Sequence, residues 1–67
     1  MNQNLMKRLF VVTSFLHLNE TSRPMKPGEQ GFAFVPLGAP VHIEVDTTEY
    51  TADRSTFEAA IEWVENV

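Results

Sequence analysis

The chain has 67 residues, no cysteine, 43% apolar residues and a formal net charge of −4. A length of this order leaves room for one core and no second domain, and the lack of cysteine excludes thiol catalysis, a disulfide framework and a Cys-based zinc site. The composition is too apolar for intrinsic disorder, yet no run approaches the roughly 18 consecutive apolar residues of a transmembrane helix. The sequence therefore predicts one small domain over 1–67, with no membrane association. A core of this size supplies a net stability of about 3–5 kcal/mol, so a bound partner or a homo-oligomer is expected. The missing cysteines fit a cytoplasmic location.

Charge divides unevenly. Residues 1–30 hold Lys7, Arg8, Arg23 and Lys26 against Glu20 and Glu29, whereas 31–67 hold Arg54 against Glu44, Asp46, Glu49, Asp53, Glu58, Glu62 and Glu65. The C-terminal half is expected to present an acidic surface.

Residues 1–5 carry no periodic signal and are expected to fray. Met6-Lys7-Arg8 before the apolar stretch Leu9 to Leu18 has the outline of a leader peptide, but Thr13, Ser14 and His17 interrupt it and no small-x-small cleavage pattern follows. Lys7 to Leu18 is rich in β-branched and aromatic residues and reads as one long strand; a helix is the competing reading. Both faces of that strand are mostly apolar, which predicts a central position, covered on both sides. Residues 19–30 contain two prolines, one glycine and almost nothing to bury. They read as a long loop with Arg23 and Lys26 as an isolated basic feature.

Gly31 to Val35 reads as a short strand closed by Pro36, with Pro36-Leu-Gly-Ala-Pro40 turning the chain into a hairpin. Val41 to Glu49 alternates, with Val41, Ile43, Val45 and Thr47 on one face and His42, Glu44, Asp46 and Thr48 on the other. Ser55-Thr-Phe-Glu58 matches a capping box, and Phe57, Ala60, Ile61, Val64 and Val67 then share one helical face bordered by Trp63. On that helix Glu58, Glu62 and Glu65 fall together opposite the apolar face, where like charges cost a few tenths of a kcal/mol, about 0.2–0.5. The expected fold is α+β, in order β-β-β-α: a three-stranded antiparallel sheet with one C-terminal helix across it.

Candidate chemistry is sparse. His42, Glu44 and Asp46 at two-residue spacing resemble a partial metal site, but alternating polar residues are also what a half-exposed strand shows, so no metal and no cofactor is expected. His17 shares a strand face with Thr13, yet nothing places a base against a nucleophile. The three glycines form no phosphate-cradling motif, and Asn19-Glu20-Thr21 matches a glycosylation acceptor by chance. The leading expectation is a non-enzymatic protein that docks on a larger partner with a basic surface and inhibits or modulates it, of the kind phages and mobile elements encode. The expected contacts are Glu58, Glu62, Glu65, Glu44, Asp46 and Glu49, with Trp63 as an apolar anchor and Arg23 and Lys26 as a loop candidate. A nucleic-acid mimic and a self-associating protein, paired through an exposed strand edge, are the alternatives. Direct nucleic-acid binding is disfavoured, because four basic residues face an acidic body.

Overall fold

A computed structural model describes residues 7–64. The frayed segment expected over 1–5, and Glu65 and Val67, lie outside those residues. The chain forms β1 (Arg8–Val12), β2 (Gln30–Phe34), β3 (Val41–Val45), β4 (Thr48–Ala52), α1 (Arg54–Ala60) and β5 (Ile61–Trp63). All pairings are antiparallel, in the order β4-β3-β2-β1-β5. This mostly β, five-stranded sheet with one short helix replaces the expected three strands and long helix. None of the helices among the described residues is long and apolar enough to cross a membrane.

Three local events make the difference. The first is that β1 ends at Val12, six residues short of the expected strand. There Thr13 turns away, its backbone N–H donating to the Ala60 carbonyl at 2.8 Å and its hydroxyl to the same oxygen at 3.2 Å. The apolar residues beyond it serve another purpose: Leu16 bridges to Met25 through paired backbone hydrogen bonds of 2.9 and 3.0 Å, and Leu16, Leu18 and Met25 are all buried. The connection 13–29 is therefore a flap over the core, and β2, not β1, is the central strand.

The second is that the alternation from Val41 breaks at Asp46 and Thr47, which have φ of 49° and 65°. Positive φ at both central residues is the type I′ hairpin turn, whose twist matches that of the strands. Pairing resumes at Val45↔Thr48 and runs to Val41↔Ala52. Thr47 is an unfavourable residue there, since a β-branched side chain crowds the left-handed region. Thr47→Gly should raise stability by about 0.5–1 kcal/mol, read as a higher denaturant midpoint at unchanged slope. A lower midpoint would mean that the threonine makes contacts worth more than its strain.

The third is the early end of α1 at Ala60. Its N-cap is Asp53, with no side-chain cap hydrogen bond, and Ser55 lies inside the first turn, so the capping box is not built. A seven-residue helix is marginal alone and is held by Phe57 and Ala60, its two buried residues. Ile61 and Trp63 then alternate with Glu62 along β5, which pairs with β1 as Phe10↔Trp63, Val11↔Glu62 and Val12↔Ile61.

The core sits on one side of the sheet. Phe10, Val12, Ala33, Val41, Ile43 and Ala52 face Phe57, Ala60 and the flap residues, and all are buried. The flap is also tied to the far edge. Asn19 N–H donates to the Thr51 carbonyl at 2.8 Å, while the Glu20 carboxylate accepts from Thr51 N–H and from its hydroxyl, each at 2.7 Å. The Asn19 side-chain amide completes this tie by donating to the Thr51 hydroxyl at 3.0 Å.

Those Thr51 donors favour the charged form of Glu20 and lower its pKa from the usual carboxylate value. A depressed folded-state pKa means that the stabilisation is fully present above the unfolded value, about 4.3, and is lost as pH falls through the folded one. Glu20→Gln should flatten the stability-against-pH profile below about pH 4.3 relative to the parent chain. Identical acid limbs in the two proteins would rule out Glu20 as a source of the dependence.

Candidate functional site

Among the described residues, no layer covers the side of the sheet away from the core. Register and alternation place Leu9, Val11, Gln30, Phe32, Phe34, His42, Glu44, Glu49, Thr51 and Glu62 on this face. One cross-strand row reads Glu49, Glu44, Phe32, Leu9 from β4 to β1, and another reads Gln30, Val11, Glu62 from β2 to β5. The middle strands thus supply aromatic and aliphatic groups while carboxylates stand on both flanks. Phe32 is 47% exposed at the centre, an unusual state for a phenylalanine on a middle strand.

Strand composition explains the arrangement. β2 reads Gln-Gly-Phe-Ala-Phe, with the small Gly31 and Ala33 turned to the core beneath the Phe10 ring and the helix, and the large Phe32 and Phe34 turned outward. The inner face is filled by residues from elsewhere, so β2 is inverted relative to the usual large-in pattern.

Glu44 and Glu49 are cross-strand neighbours, a like-charge pair that opposes pairing. The Lys7 ammonium relieves it by pairing with the Glu44 carboxylate. The hydrogen bond to Glu44 is the main cause that raises the Lys7 pKa; desolvation opposes it, and the charges of Glu44 and Glu49 add to the rise. Any stabilisation from this group is present below the ordinary lysine range and lost as pH rises through the raised value. Lys7, Phe34, His42, Glu44 and Glu49 line a shallow depression of about 260 Å³, and the His42 and Phe34 rings lie 6.1 Å apart, centroid to centroid.

The residues singled out from sequence separate into three groups. Glu44, Glu49 and Glu62 come together on the open face. Glu58 does not join them, because the helix ends before Glu62 and lies against the core side. Asp46 is used in the turn, and Glu65 lies outside the described residues. Trp63 faces the core side, edge-on to Phe57 at 5.5 Å, with the Arg8 guanidinium 4.2 Å over its ring. No cluster of three or more His, Asp or Glu suited to a metal occurs among the described residues, and Asp46 stands apart from His42 and Glu44. His17 is exposed in the flap, off the strand that was expected to pair it with Thr13.

Phe32 and Phe34 were missed as surface residues. The available signal was the small-large alternation Gly31-Phe32-Ala33-Phe34. No protein-family model, curated protein or solved structure matches the chain.

Proposed function

We propose that this protein is a non-catalytic docking module whose open sheet face receives a larger protein with a basic surface. The observation that carries the reading is the half-exposed Phe32 at the centre of a face flanked by Glu44, Glu49 and Glu62. An apolar centre inside a charged rim is the anatomy of a protein interface: a desolvated aromatic supplies the affinity, and rim charges steer the encounter. Glu44 is already paired with Lys7, so Glu49 and Glu62 carry most of the uncompensated charge. Competition with nucleic acid for the partner distinguishes a mimic from an ordinary docking protein.

The test combines two variants. Phe32→Ser should abolish retention of a partner captured from host lysate, while Glu49→Lys with Glu62→Lys should slow association at low salt and remove most of its salt dependence. Retention unchanged in both folded variants would eliminate this face.

A further inference from the structure

On the opposite side of the molecule a second concavity of about 400 Å³ lies between the flap and strands β3 and β4, lined in part by Thr21, Arg23, Lys26, Glu29, Val45 and Tyr50. Its volume falls in the range of small-ligand sites. The described residues hold five Lys and Arg side chains. Three are engaged: Lys7 with Glu44, Arg8 over Trp63, and Arg54 with the Pro36 carbonyl. Arg23 and Lys26 make no ion pair and no side-chain hydrogen bond among the described residues, and both line this recess. Two cations without a side-chain partner against the single carboxylate of Glu29 at one concavity, in a chain of net charge −4, are the feature to explain.

Their backbone is fixed in advance. Arg23 N–H donates to the Thr21 hydroxyl at 3.2 Å, and the Leu16–Met25 bridge anchors Met25, the neighbour of Lys26. Lys26 begins a turn closed by the Glu29 N–H to Lys26 carbonyl bond at 3.0 Å, with Pro27 second and Gly28 third at φ 94°, the type II pattern. One oxygen of the Glu29 carboxylate accepts from Lys26 N–H at 3.0 Å, leaving the recess net positive by one charge. The Arg23 guanidinium offers a planar fork matched to two oxygens of a phosphate or carboxylate, Lys26 adds a point charge, and Thr21 and Tyr50 bring hydroxyl donors. Val45 and the Tyr50 ring supply the apolar wall.

We propose that this recess binds a small organic oxyanion, a phosphate or carboxylate carried on a short apolar or aromatic stem. Arg23 and Lys26 hold the head group, and Tyr50 and Val45 hold the stem. Because Val45 and Tyr50 belong to the core side of the sheet, the site is independent of the open face.

The test is a titration of the ¹⁵N-labelled chain at low ionic strength with phenyl phosphate, benzoate and neutral benzyl alcohol. The anions should give saturable amide shifts at Thr21, Arg23, Lys26 and Tyr50, and benzyl alcohol none; the tighter anion identifies the preferred head group. Arg23→Gln and Lys26→Gln should each weaken binding by about tenfold, with Lys7→Gln and Phe32→Ser unchanged. Absence of saturable shifts up to about 10 mM, unaltered affinity in both recess variants, or equal binding of benzyl alcohol would overturn the assignment. Since Phe32→Ser is silent here and decisive for docking, the two readings fail separately.

Discussion

Phe57→Ala should leave less than half of the molecules folded at room temperature, whereas Phe57→Leu should retain the native state with a reduced midpoint. The Phe57 ring has no solvent exposure and lies edge-on to Phe10 at 5.1 Å and to Trp63 at 5.5 Å. It is also the one large side chain that fastens the uncapped seven-residue helix to the sheet. Truncating a buried phenylalanine costs about 3–5 kcal/mol through lost transfer energy and the cavity left behind, which equals the total stability expected of so small a core. Circular dichroism and a urea titration read the outcome. A loss below about 1 kcal/mol would show that the helix is not needed to close the core.

The second large effect is expected at Gly31. Its backbone is ordinary extended strand, so the constraint is space: a Cβ there would sit 3.1 Å from the Glu44 carbonyl oxygen and 3.1 Å from the Phe10 ring. Neither neighbour yields easily, because one is strand backbone paired to β2 and the other is a buried ring pinned by Phe57. Gly31→Val should therefore cost about 1–3 kcal/mol, the range for overpacking a filled core. Gly31→Ala should cost less, since alanine recovers some of the entropy that glycine loses on folding. A valine variant as stable as the parent chain would mean that Phe10 has an alternative position.

The extent of legible structure follows from how local each signal is. The β2–β3 hairpin was readable because Pro36 and Pro40 bracket its connection and Val41, Ile43 and Val45 alternate in phase. The β3–β4 hairpin was not, because Asp46-Thr47 lacks the Asn-Gly or Asp-Gly chemistry that marks a type I′ turn. The one remaining sign was a slip of apolar phase, from odd positions before the turn to Tyr50 and Ala52 after it. Phe57, Ala60, Ile61 and Val64 satisfy helical spacing, yet Ile61-Glu62-Trp63 equally satisfies strand alternation, and β1's open side decided between them by pairing. The same ambiguity misled the reading of Lys7 to Leu18, whose apolar residues belong partly to a strand and partly to the flap. On the open face, Glu44, Glu49 and Glu62 were legible as acidic surface, but their assembly around Phe32 depends on register, which composition does not encode.

The pairing of β1 with β5 also sets the order in which this chain can mature. Phe10 meets Gly31 soon after β2 exists, but its contacts with Phe57 and Trp63 wait until nearly all of the described sequence has been synthesised. A nascent chain halted before Ile61 lacks the strand that completes the hydrogen bonding of β1, and with it Trp63, one of the two rings packed against Phe57. Such fragments are expected to be protease-sensitive, and folding is expected to show the slow rates of chains whose contacts are distant in sequence.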